Sequence, residues 1–131
     1  MKVLLDTHIL LWTMYDSQKL SDYSRSILKS EDNIFYYSLA SVWEVEIKNS
    51  IGKLAVPSVE FANDCELMGF HMLPIEKQHI FALHKLEIAN GHKDPFDRLL
   101  IAQAGVENYK LLTEDSKIQN YNKDWIIPSP S

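Results

Sequence analysis

A single cysteine in 131 residues rules out an internal disulfide. Nothing at metal-ligand spacing surrounds Cys65, which reads as a packed thiol in a reducing cytosol. With 4 Gly and 5 Pro there is little room for long loops or low-complexity linkers, and no internal repeat points to a solenoid. No apolar run approaches the roughly 20 residues of a membrane span. Asp6 stops the N-terminal run after only Val3, Leu4 and Leu5, which excludes a signal-peptide core. Positive charge is scarce too: 13 Lys and Arg face 18 Asp and Glu, a net charge of −5. That sign argues against tight, metal-free binding to phosphates. It does not argue against hydrolysis in which bound cations neutralise carboxylates. The length is that of one domain, residues 1–131, expected in the cytoplasm and without membrane contact.

What is present alternates between strand and helix signals. Lys2–Leu5, Asn33–Tyr37, Phe70–Leu73, Lys110–Thr113 and Asp124–Ile127 read as short strands. Between them lie helical patterns at Ile9–Met14, from Ser21 through Leu28, and over 38–48 with Gly52 after it. A further helix opens at Pro57 and closes at Gly69, and Glu76–Ala89 reads as one long helix phased by Ile80, Leu83 and Leu86. Asp94-Pro95 resembles a cap followed by proline at the first helical position, opening a helix to about Asn108. Asp115 starts a short one. The expectation is an α/β domain: a mainly parallel sheet of about five short strands flanked by helices. In such sheets ligands sit beyond the carboxyl ends of the strands.

Four carboxylates stand at the starts or ends of these elements, and each has a capping role open to it. Asp6 can cap the helix near His8, and Asp115 the turn 116–121. Glu44 follows Ser41, and Asp97 follows Asp94, at the spacing of a capping box. Capping does not explain their shared placement. Asp6 and Asp115 fall just beyond strand ends, Glu44 and Asp97 in first turns of helices, and a parallel α/β sheet puts those positions on one edge. Four converging carboxylates repel until protons or cations relieve them. All-oxygen ligation suits Mg²⁺ or Mn²⁺ and argues against zinc. Two such ions, about 3.5–4 Å apart, would activate a water and stabilise the leaving oxygen of a phosphodiester, and one ion would supply part of that. The count, one or two, is open at this point.

The segments Val3–Trp12, Ser38–Glu44, Gly52–Leu54, His92–Ala104 and Leu111–Asp115 resemble the PIN-domain ribonucleases, specifically VapC-like toxins of type II toxin–antitoxin pairs. The stretch Asp94-Pro95-Phe96-Asp97-Arg98 is the most specific. The resemblance implies a PIN-like fold and makes Asp6, Glu44, Asp97 and Asp115 the acidic, metal-binding quartet. It implies endonucleolytic cleavage of RNA by metal-activated water, a homodimer, and a cognate antitoxin that blocks the site.

The neighbours carry supporting readings. Asp94 is read first as a helix cap, Thr7 as a cap or a hydrogen-bond partner of a site carboxylate, and Arg98 as a phosphate contact or a structural arginine. His8 and His92 lack metal-ligand spacing and are read as non-catalytic. Trp12 and Trp43 are read as core or dimer interface before base-stacking platforms. Leu10, Leu11, Met14 and Ile27 are candidate walls of an antitoxin groove. A phosphatase of the haloacid-dehalogenase kind would want a second aspartate where His8 stands, and a dinucleotide fold a glycine absent from residues 6–10. The alternative from another class is a non-catalytic RNA- or protein-binding module of the same fold, which has no need of four converging carboxylates.

Overall fold

The computed structural model describes residues 1–128. Lys2–Leu5 (β1), Ile34–Ser38 (β2), His71–Leu73 (β3), Lys110–Leu112 (β4) and Ile126–Ile127 (β5) form one sheet in the order β3-β2-β1-β4-β5, with every pairing parallel. The helices are Thr7–Tyr15 (α1), Asp22–Lys29 (α2), Leu39–Ser50 (α3), Ser58–Leu67 (α4), Lys77–Ala82 (α5), Pro95–Glu107 (α6) and Ser116–Gln119 (α7). The α/β expectation holds, and the strands fall within a residue or two of the expected ranges.

A strand covered on both faces must be apolar on both, and β1 shows this: Val3, Leu4 and Leu5 are fully buried. Alternation sends Leu4 into the core under α6, with Leu100, Ile101 and Leu111. Val3 and Leu5 go to the other face, with Ile9, Leu10, Val45, Phe61 and Cys65. Cys65 is buried packing, as expected.

Sequence order runs outward from β1 to β2 and β3 on one side, then jumps back to β4 and β5 on the other. The carboxyl ends of β1 and β4 therefore flank the place where the winding reverses, the position at which open α/β sheets hold ligands.

Two expectations are corrected. Glu76–Ala89 is not one helix: α5 ends at Ala82, and a 3₁₀ turn, Leu83–Lys85, follows. A continuing helix would give the Leu86 carbonyl to the amide four residues on. Instead Arg98 Nη2 takes it at 2.8 Å and Leu86 turns inward. Leu10 cannot wall an antitoxin groove, because it is fully buried in the core, while Leu11, Met14 and Ile27 are half-buried against that core.

Candidate active site

Asp6 leaves the end of β1 and caps α1, its Oδ1 accepting from the Ile9 amide at 2.7 Å. Its other oxygen, Oδ2, accepts from the Thr113 hydroxyl just past β4. Burial pushes Asp6 up to about 6. The Thr113 and Ile9 hydrogen bonds oppose the rise, while the charges of Asp115 and Glu44 add to it.

Glu44 has no box role. The cap of α3 is Ser38, which accepts from the Ala40 amide at 3.0 Å, and Ser41 lies inside the helix. Freed from capping, the buried Glu44 carboxylate is held at both oxygens. Thr7 donates to Oε1 at 2.8 Å, and the Lys48 ammonium donates to Oε2 at 2.8 Å. The Thr7 hydroxyl also meets Ser41 Oγ at 2.8 Å. Burial pulls the pKa of Lys48 down, but the Glu44 bond and the charges of Glu44, Asp94 and Asp97 outweigh it and raise it net.

Asp94 does cap α6: its Oδ1 accepts from the Phe96 and Asp97 amides, each at 3.0 Å. With Pro95 at the first position, this fixes the turn that carries Asp97. Asp97 Oδ2 meets His92 Nε2 at 3.0 Å. Burial raises Asp97 to about 7, reinforced by Asp94 and Glu44, opposed by the His92 hydrogen bond, and reinforced again by Asp6. Asp115 caps α7 through the Lys117 amide at 2.9 Å, and its own amide donates to Thr113 Oγ1 at 3.0 Å. Arg98 is spent on the fold, donating to Tyr121 Oη at 3.0 Å and to the Leu86 carbonyl.

The four acids thus come from four elements to one edge of the sheet, close enough that Asp6 feels Asp115 and Glu44, and Asp97 feels Glu44 and Asp6. Among the described residues, no three His, Cys, Asp or Glu side chains stand at metal-chelating spacing. The donor chemistry is still that of a hard divalent cation: crowded carboxylate oxygens, with Asp6 and Asp97 raised in pKa and the Lys48 ammonium bonded to Glu44. Thr113, Lys48 and His92 are the contacts that sequence reasoning missed or set aside. Lys48 was findable, since Glu44 and Lys48 have the i, i+4 order that pairs on a helix.

A model of the PIN domain family matches residues 3–124. This chain belongs to the PIN-domain family. Solved PIN-like folds resemble it over nearly their full length. The VapBC2 complex of Rickettsia felis bound to a promoter DNA fragment matches with a TM-score of 0.66 and 18% identity, over 89% of this chain and 90% of that one. VapBC-1 of nontypeable Haemophilus influenzae matches at 0.64 and 21%, over 95% and 98%. A toxin–antitoxin complex from Klebsiella pneumoniae matches at 0.62 and 18%, over 95% of each chain. At these identities the likeness is one of fold. No curated protein matches the chain. In this PIN domain no helix among the described residues is long and apolar enough to cross a membrane.

Proposed function

We propose that this PIN domain is a divalent-metal-dependent endoribonuclease and the toxin of a toxin–antitoxin pair. The observation that carries the reading is the convergence of Asp6, Glu44, Asp97 and Asp115 at the winding reversal, with Asp6 and Asp97 raised to about 6 and 7. Burial first, and crowding with it, disfavours the charged forms, a cost to a protein with no use for it. The fold likeness to complexes described as VapBC and toxin–antitoxin supports the pairing with an antitoxin.

Asp6, Glu44, Asp97 and Asp115 would hold Mg²⁺ or Mn²⁺, one or two ions. When bound, the metal supplies an acidified water and neutralises charge on the phosphodiester. The chain's own residues do the rest. Thr113 and the Ile9 amide fix both oxygens of Asp6, and Thr7 fixes Glu44. His92 orients Asp97, and Lys48 offsets charge at Glu44 in an otherwise anionic cluster. Orienting partners of this kind set how well ligands meet a metal.

A homodimer fits one further feature. Leu39, Trp43, Ile47 and Ile51 recur every four residues along and just past α3, and all are exposed, Trp43 and Ile51 by more than half. An apolar stripe of this length is a contact surface.

The test is cleavage of a mixed RNA pool by antitoxin-free protein, wild type beside Asp97→Asn, in Mn²⁺ and then in EDTA. Cutting that needs the metal and is lost in the variant is the expected result. No cutting by a folded wild type would move the reading to a non-catalytic binder.

A further inference from the structure

Gln103 is a fully buried amide well inside α6. Its neighbours Leu99, Leu100, Ile101 and Ala104 belong to the apolar core. An amide is unfavourable there unless its polar atoms are bonded, and here they are. Oε1 accepts from the Ser38 hydroxyl at 2.6 Å. Nε2 donates to the Pro74 carbonyl at 3.2 Å and lies 3.4 Å from His79 Nδ1. That ring nitrogen takes the Glu76 amide at 3.0 Å, so it is an acceptor and the proton sits on Nε2, 2.8 Å from Glu107. The amide cannot be turned over, because Oε1 would then face two acceptors. Ser38 is fixed likewise, its oxygen accepting from the Ala40 amide while its hydrogen goes to Gln103. Ser38, Gln103 and His79 are all fully buried.

This chain of bonds joins two helices that carry acids. Ser38 meets Gln103 at one end of the contact between α3 and α6, and the Trp43 and Phe96 rings meet at the other, centroids 5.0 Å apart. The helices therefore run antiparallel. Glu44 follows Ser38 by six residues and Asp97 precedes Gln103 by six, about 9 Å along each axis. The bond and the Glu44–Asp97 pair stand like two rungs between the helices, and a slide of either helix would disturb both. Among the described residues this is the one hydrogen bond between α3, its cap included, and α6. Apolar packing is non-directional and tolerates such a slide. A satisfied buried polar network specifies one arrangement.

We propose that Gln103 is a positioning residue of the acidic site: by holding Ser38 it fixes α3 against α6 and sets the reach between Glu44 and Asp97. His79, itself held by Glu107, keeps the amide in the orientation that accepts from Ser38. This role rests on the nuclease reading of the acids and adds to it a residue that touches neither metal nor RNA.

The test separates position from stability. Antitoxin-free Gln103→Met, Ser38→Ala and the double variant are titrated with Mn²⁺ well below their melting temperatures, free ion being read by electron paramagnetic resonance. Phe61→Leu, a core change in α4, supplies a destabilised control. Each single variant is expected to bind Mn²⁺ about tenfold more weakly than wild type. The double variant should be no weaker than either, because one bond can be lost only once. In RNA cleavage kcat should fall about tenfold with KM within about twofold, since neither side chain reaches the surface. Phe61→Leu should melt lower with Mn²⁺ affinity and kcat held. If Gln103→Met does not fold, Ser38→Ala against Phe61→Leu decides. Variants that melt lower yet bind Mn²⁺ and cut like wild type, or losses that add in the double variant, would overturn the tie and leave Gln103 structural. The two readings fail separately. A wild type that binds Mn²⁺ and never cuts RNA, with both single-variant losses intact, sinks the nuclease and keeps the tie. Metal-dependent cutting left unchanged by Gln103→Met and Ser38→Ala does the reverse.

Discussion

Asp97 is the side chain at which a capping role and a site role make opposite predictions. Its folded value of about 7 lies far above the roughly 3.9 of an unfolded aspartate. The native state therefore binds a proton that the unfolded chain has released. The resulting stability is full below the unfolded value and lost as pH rises through 7. Asp6, at about 6, acts in the same direction. Metal-free protein should melt at higher temperature at pH 5 than at pH 8, and Asp97→Asn should narrow that difference. At pH 8 the variant should melt no lower than wild type while losing at least about 100-fold in cleavage rate. A clear fall in its melting temperature at pH 8 would instead mark Asp97 as structural. Thr113→Val probes the other carboxylate. It leaves a buried oxygen of Asp6 without its donor, which costs about 1–3 kcal/mol and raises Asp6 further. Calorimetry should show the loss, and cleavage should fall by about 10–100-fold as Asp6 loses its orientation.

At the scale of elements, the first turn of α6 carries the site, and Asp94 holds that turn. Asp94→Ala removes acceptors for two amides and should cost about 1 kcal/mol by denaturant titration. Its cleavage rate should fall by less than that of Asp97→Asn, because the carboxylate itself stays. Much of this element was legible in the chain, since a capping aspartate, a proline and an apolar run specify a helix start locally. The parallel sheet was legible for the same reason, as short apolar runs separated by helical patterns. Other features were not. Arg98 takes the carbonyl of Leu86, twelve residues away, where the chain leaves its 3₁₀ turn, a contact that no local propensity encodes. Glu44 stands at box spacing from Ser41, yet the helix begins at the earlier serine, so the spacing misleads. Thr113 is one hydroxyl in an apolar strand end, and its partner Asp6 is 107 residues distant. The carboxylates announce themselves by type and position, whereas the groups that orient them are fixed by tertiary contact.

For the whole molecule, two measurements follow. A ligand that binds only the folded state stabilises it, so Mn²⁺ or Mg²⁺ at about 100 times its Kd should add about 2.7 kcal/mol. Thermal shift in wild type beside Asp6→Asn reads this, and an equal shift in both would remove Asp6 from the metal. The exposed stripe on α3 predicts that Ile47→Glu shifts sedimentation toward the monomer without unfolding the chain, whereas an unchanged sedimentation coefficient would assign that face elsewhere.

The order of the strands has a consequence for synthesis. Of the strands, β1 emerges from the ribosome before the others but occupies the centre of the sheet, and its neighbour β4 is made only after β2 and β3. Thr113 and Asp115, which complete the surroundings of Asp6, arrive with β4 and the turn after it. A nascent chain therefore carries Asp6 and Glu44 with no finished site around them until β4 is made. If the chain cuts RNA, the message and ribosome that produce it are spared until β4 has joined β1, a delay built into the connectivity itself.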